Sequence, residues 1–223
     1  RTFREGDAFS IDGLTGEVFE GAIPTFASEI HQVLDGKMEA SSSEVYGHYT
    51  RLMRCADSIR KLRVRTNSDT PENCRMGRLY GAEGIGLTRT EHMFFGAERI
   101  SAVRRMILAN NDTDRRAALE SVKPYQREDF EGIFRVMSGL PCTIRLLDPP
   151  LHEFLPTDPE VQREIAKQLG LETHEVRDRV ITLEEANPML GHRGCRLGIT
   201  FPMIYEVQVE AIIEAAIAVK GEI

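Results

Sequence analysis

The sequence predicts an α/β protein built on a parallel sheet, and three observations predict it. From Lys61 onward, short apolar runs alternate with stretches of 3.6-residue periodicity, the order of a βαβα chain. Three separate segments, residues 84–95, 143–150 and 187–196, each bring arginine and other polar residues to the end of an apolar or glycine-rich run. That is where the chemistry of a parallel sheet collects. The composition, 41% hydrophobic and 28% charged over 223 residues, is that of a globular protein. A closed (β/α)8 barrel takes about 250 residues. Residues 61–223 suffice for its first strands only, so a partial barrel of TIM type is expected, with an open doubly wound domain as the alternative.

Before that region, residues 1–24 read as β. Asp7 to Asp12 alternates in polarity, Gly13 and Gly16 supply a turn, and Glu17 to Gly21 resumes the pattern. A lone hairpin is marginal in water, so a larger sheet is expected upstream. Residues 35–44 are polar and serine-rich, and read as a linker or the start of a helix. Val45, Tyr49, Leu52, Met53, Ala56 and Ile59 then recur at helical spacing.

The α/β region follows in order. A strand is expected from Lys61 to Asn67. Asp69-Thr70-Pro71-Glu72 opens a short helix to Gly81, and the apolar run 84–87 is the second strand. Helical pattern covers Ala97 to Ala109 and Asp112 to Ser138, with Asp112 or Thr113 as cap, Pro124 as a break or kink, and Gly139 as terminator. Pro141 to Leu147 is the third strand. Helices then run from Asp158 to Gly170, from Thr173 to Glu185, and from Ile204 to Val219.

Charge and cysteines narrow the function. A net charge of −7 argues against a nucleic-acid binder. No apolar run approaches the roughly 20 residues of a membrane span, and no signal-peptide pattern is present. Cys55, Cys74, Cys142 and Cys195 form no C-x-x-C pair and read as reduced thiols of a cytoplasmic protein. The start at Arg1 and the stop at Ile223 read as cuts in something longer.

Three arginines are the candidate ligand-binding residues, each with a plainer alternative. Arg89 can take a phosphate or carboxylate in a bidentate fork, or pair with Glu91 or Asp148 to fix a strand end. Arg145 alternates with Ile144 and Leu146 in a strand fit for burial, where a guanidinium needs an anion. Asp148 is the local partner, and the rigid Pro149-Pro150 lies just beyond. Arg193 stands between Gly191 and Gly194, which permit close approach of a ligand, or simply form a turn with a solvated side chain. Arg196 reads as structural. His92, His152 and His192 flank the three segments without the spacing of a zinc site. Neither a phosphate-binding loop with lysine nor a complete dinucleotide fingerprint occurs.

Together these segments carry a resemblance. Residues 84–94, Thr143 to Phe154 and Asn187 to Gly198 closely resemble the pyruvate phosphate dikinase family of phosphoenolpyruvate (PEP)-utilising enzymes, as does nearly the whole chain. PEP synthase and the sugar phosphotransferase enzyme I share the Gly-Leu-x-Arg core but lack the run from Leu146 to Phe154.

The resemblance implies a transferase, a kinase that interconverts ATP, phosphate and pyruvate with AMP, pyrophosphate and PEP through a phosphohistidine. It implies that residues 1–34 are the tail of a swivelling phosphohistidine domain plus linker, 35–60 a linker helix, and 61–223 the first part of a PEP/pyruvate-binding barrel. Arg145 and Arg193 match the family's substrate-binding arginines, and Arg89 matches the arginine placed on the phosphoryl group. Glu91, His92, Asp148 and His192 are the supporting candidates around them. Catalytic residues, the magnesium (Mg2+) ligands and the ATP site are expected elsewhere in a longer, homodimeric cytoplasmic enzyme. The 223 residues alone are then an inactive part of it, or else a truncated relative serving as a binding or scaffold module.

Overall fold

The computed structural model describes residues 2–184, 186–187 and 189–222. The expected end of a helix at Glu185 and Pro188 of the third motif lie outside the described residues, as do Arg1 and Ile223. The chain divides into two compact units, residues 1–61 and 62–223.

In the first unit, β1 (Phe9–Ile11) and β2 (Val18–Glu20) pair antiparallel around the Gly13–Gly16 turn, as the alternation predicts. Asp12 tightens that turn by accepting the amides of Leu14 and Thr15. Helix α1 (Glu29–Leu34) was not foreseen, being a single amphipathic stretch too short to show periodicity, and is capped by the Ser28 hydroxyl. Helix α2 (Glu44–Ile59) follows its sequence pattern, with the Ser43 hydroxyl on the amide of Tyr46.

The second unit is helix-rich, with one small parallel sheet. Its strands are β3 (Thr66–Asn67), β4 (Ile85–Arg89) and β5 (Cys142–Arg145), in the spatial order β3-β4-β5. Helix α3 (Pro71–Leu79) joins β3 to β4. Helices α4 (Ala97–Leu108) and α5 (Asp112–Val136) lie between β4 and β5. After β5 come α6 (Pro159–Leu169), α7 (Thr173–Leu183), α8 (Cys195–Thr200) and α9 (Pro202–Lys220). Local chemistry sets most boundaries: Thr70 caps α3 ahead of Pro71, Asp158 caps α6 ahead of Pro159, and Gly170 ends α6 in the left-handed conformation. Gly84 serves a different end. A Cβ there would lie 2.7 Å from the Pro141 carbonyl oxygen, so its absence lets β4 start against β5.

Four expectations need correction. The first strand of this unit is two residues long rather than seven, because Leu62 and Val64 are exposed and only Thr66–Asn67 reaches the ladder of β4. Arg89 is the last residue of β4, not a residue beyond it. Asn111, not Asp112 or Thr113, caps α5 by accepting the amide of Asp114. Pro124 does not divide α5, which is one helix of 25 residues. Pro124 and Glu120, four residues before it, are both exposed, so the carbonyl left without a partner faces water. The flanking Leu119, Val122, Gln126 and Phe130 stay buried. Helix α8 was also unforeseen; its six residues hide among glycines and charge.

Two clusters form the core. Phe94, Ile107, Leu147, Phe154, Val176, Leu197 and Val207 tie α4, α7, α8 and α9 to the segment after β5. Ile85, Met93, Phe130, Ile133, Met137 and Ala215 pack β4 against α5 and α9. Among the described residues, no helix is long and apolar enough to cross a membrane.

Candidate functional site

The carboxyl ends of β3, β4 and β5 come together at one edge of the sheet, and the chain's candidate residues lie there. Arg89 and Arg145 are register partners on neighbouring parallel strands, so their side chains leave the same face. Thr88 and Thr90, both fully buried, hold this edge: the Thr88 hydroxyl donates to the Ser68 carbonyl at 2.9 Å, and the Thr90 hydroxyl to the Arg145 carbonyl at 2.9 Å.

A chain of charges crosses the edge. The Arg145 guanidinium hydrogen-bonds the buried carboxylate of Glu91 and lies 3.3 Å from Asp148 Oδ2. The same Oδ2 accepts from Arg193. Glu91, Arg145, Asp148 and Arg193 thus alternate in sign through direct contacts. Asp148 holds the Arg193 guanidinium above its already high pKa. The plainer alternative for Arg145, a pairing with Asp148, is therefore part of the geometry, whereas Arg193 is not the solvated side chain of its own alternative, since Asp148 holds it. Arg89 differs: no ion pair of its guanidinium occurs among the described residues. Its backbone amide donates to Asp69 Oδ1 at 2.6 Å.

The chain of charges is incompletely satisfied. Glu91 Oε2 and Arg145 Nε are buried without hydrogen-bond partners among the described residues. A buried unpaired polar group costs about 1–3 kcal/mol, and two such atoms sit on one ion pair.

Other residues take separate places. His92 Nδ1 lies 2.7 Å from Asp69 Oδ2, so His92 belongs to the same edge through Asp69. His192 turns away from it. Its Nε2 lies 2.9 Å from the Thr200 hydroxyl and 3.1 Å from the Arg196 carbonyl, and its ring stacks on Phe201. Arg196 closes the preceding loop by donating to the carbonyls of Leu190 and Gly191. Among the described residues, no group of three or more His, Cys, Asp and Glu side chains could hold a metal ion.

Three participants escaped the sequence reading. Asp69 follows β3 at the strand-end position that Arg89 and Arg145 occupy on β4 and β5, and that parallel placement was the available signal. Tyr205 and Gln208, on the first turns of α9, gave no signal. The Tyr205 hydroxyl lies 2.7 Å from the Leu147 carbonyl and 3.0 Å from that of Gly194, while Gln208 Oε1 accepts the Leu147 amide at 2.8 Å. Gly194 is itself constrained: φ is +54°, and a Cβ would meet Asp148 Oδ1 at 3.2 Å.

Comparison with known proteins identifies the family. The family model described as PEP-utilising enzyme, PEP-binding domain matches residues 44–223. The chain is 49% identical to pyruvate, phosphate dikinase of Rhizobium meliloti over 216 residues, 97% of this chain and 22% of that protein. It is 48% identical to the enzyme of the same name from Clostridium symbiosum, over 99% of this chain and 24% of that protein. The chloroplastic form from Arabidopsis thaliana is 48% identical over 99% of this chain and 22% of its own length. The chain therefore spans about a fifth to a quarter of the length of these relatives. By the family match over residues 44–223, the chain belongs to the PEP-utilising enzymes and carries their PEP-binding domain.

Proposed function

We propose that the sheet edge carrying Arg89, Arg145 and Arg193 binds PEP or pyruvate, and that the chain supplies this site to a pyruvate phosphate dikinase reaction. The observation that carries the reading is the sharing of Asp148 Oδ2 by Arg145 and Arg193, beside an Arg89 guanidinium that has no ion pair among the described residues. Three guanidiniums stand at this edge with the carboxylates of Glu91, Asp148 and Asp69, within a chain of net charge −7. Phosphoryl transfer needs positioned positive charge on the transferring oxygens more than covalent help. Glu91 and Asp148 serve by holding Arg145 and Arg193 in fixed orientation before the anion arrives.

The relatives named pyruvate, phosphate dikinase support the reaction class. In it, ATP, phosphate and pyruvate are interconverted with AMP, pyrophosphate and PEP through a phosphohistidine. In this reading Mg2+ takes its ligands, and ATP its site, from the parts of such a protein that correspond to the relatives' length outside this match. The sequential parallel order β3-β4-β5 supports reading the sheet as an arc of a (β/α)8 barrel. The same reading carries a swivelling phosphohistidine domain that includes residues 1–34, a homodimer, a cytoplasmic location where no organelle form exists, and no turnover by the 223 residues alone.

Titration of the isotope-labelled chain with PEP tests the site. The Nε–H signals of Arg89, Arg145 and Arg193 are expected to shift together, while those of Arg51 and Arg54 on α2 stay fixed. Unmoved signals from all three at millimolar PEP overturn the reading.

A further inference from the structure

We infer that Tyr205 is a positioning residue that sets the distance between Arg145 and Arg193. This rests on the reading of those two arginines as parts of one anion site. Arg145 ends β5, and Arg193 lies on the loop before α8, 48 positions later in the chain. Among the described residues no backbone ladder joins the two segments; the Gly194 amide reaches the Asp148 carbonyl at 3.3 Å beside the Arg193–Asp148 ion pair. That ion pair uses the guanidinium charge for which an anionic ligand competes.

Tyr205 supplies a join that does not use that charge. Its single hydroxyl proton is shared by two carbonyls, Leu147 on one side and Gly194 on the other. Leu147 is two residues from Arg145, and Gly194 adjoins Arg193. Leu147 also donates its amide to Gln208, so this residue is held through both its N–H and its C=O from α9. The base of α9 is well anchored for this purpose: Ile204, Val207 and Gln208 are buried, and Tyr205 itself packs against the core. Burial pushes the Tyr205 phenol up to about 12, with Asp148 adding to the shift, so the proton stays in place throughout the physiological range.

The chemistry of the ligand makes the join useful. PEP carries a phosphate and a carboxylate at a fixed separation, and a ligand with two anionic groups profits from two cations only when their spacing matches. Inorganic phosphate has one centre and does not test the spacing. Tyr205 therefore favours PEP, with its two separated anionic groups, over inorganic phosphate, by preorganisation rather than by contact.

The test is Tyr205→Phe in the whole chain, which removes the oxygen and keeps the ring. Calorimetric affinities for PEP and for inorganic phosphate are compared with those of the unaltered protein. PEP is expected to bind about tenfold more weakly, and phosphate less than about twofold more weakly. Equal losses for both anions would make Tyr205 merely structural and overturn the inference, as would no loss for either. In the absence of any ligand, the Arg193 Nε–H signal is expected to broaden in the variant while that of Arg145 stays sharp. That readout separates this inference from the site reading: a protein that binds no PEP but shows the broadening refutes the site alone. Should the variant not fold, the hydroxyl proton of Tyr205 in the unaltered protein decides. Slow exchange with water supports the join, and exchange too fast to observe overturns it.

Discussion

Two of the regions in which basic side chains meet carboxylates in the unit formed by residues 62–223 are built differently. Along α5 and α9, Lys123 bridges Glu210 and Glu214, Arg127 reaches Glu131 and Glu214, and Arg135 joins Glu131 to Glu222. Most of these side chains are open to water, and several pairs are spaced one helical turn apart. At the sheet edge, Glu91 is buried, Arg145 and Asp148 are partly so, and the chain of contacts leaves Glu91 Oε2 and Arg145 Nε without partners. The first region is solvated charge on two packed helices, where each pair is worth little. The second removes charge from water without fully repaying it. That difference, rather than the number of arginines, separates a surface from a site.

The largest expected effect comes from Arg145→Ala. It removes one of the three cations and leaves Glu91 buried without its partner. PEP binding should weaken by about a hundredfold, or about 2.8 kcal/mol, measured by calorimetry below the melting transition. Unchanged affinity would place Arg145 with the α5–α9 pairs, as structure only.

The comparison sharpens with two matched neutral substitutions read by urea denaturation. Glu91→Gln should lower the unfolding free energy by about 2 kcal/mol, because a partly buried guanidinium loses its charged partner. Glu214→Gln, on the helix surface, should change it by no more than about 0.5 kcal/mol. Equal effects would erase the distinction between the two regions.

The smallest effect is in acid. Hydrogen bonds from Arg127 and Arg135 hold the Glu131 carboxyl below its ordinary range, Lys123 does the same for Glu210, and Arg135 for Glu222. A carboxyl depressed in the folded state contributes stability fully above its unfolded pKa, near 4.3. That contribution is lost as pH falls through the depressed value. The protection factors of amides along α9, taken relative to intrinsic exchange at each pH, should therefore fall modestly as pH is lowered below about 4, and added salt at neutral pH should produce part of the same change. Protection indifferent to both would show that apolar packing alone holds α9 to α5.

The two regions also differ in how far they could be read in advance. The α5–α9 pairs lie on helices whose periodicity is visible, and the i,i+4 pairs follow from spacing. The sheet edge was legible in its parts. Arg89, Arg145, Arg193, Glu91 and Asp148 all stood out as charges at the ends of apolar or glycine-rich runs. Their pairing was not legible, because Glu91 and Arg145 are 54 positions apart and Asp148 and Arg193 are 45 apart. His192 shows the same limit from the other side: it neighbours Arg193 in sequence, yet its ring goes to Thr200 and Phe201.

What the sequence determined by itself was local. Ser43, Thr70 and Asp158 start helices because their side-chain oxygens satisfy amides two or three residues away, and Gly170 ends one because it adopts positive φ without strain. The three arginine-bearing segments and their resemblance to the PEP-utilising enzymes were equally contained in the order of residues. Only the tertiary structure decided which carboxylate holds which arginine, that β3 shrinks to two residues, and that Tyr205 and Gln208 reach from α9 to the end of β5. Those contacts join residues far apart in the chain. They depend on the packing of α9 against α5 and β4, which places the side chains within hydrogen-bond reach and which no short stretch of sequence encodes.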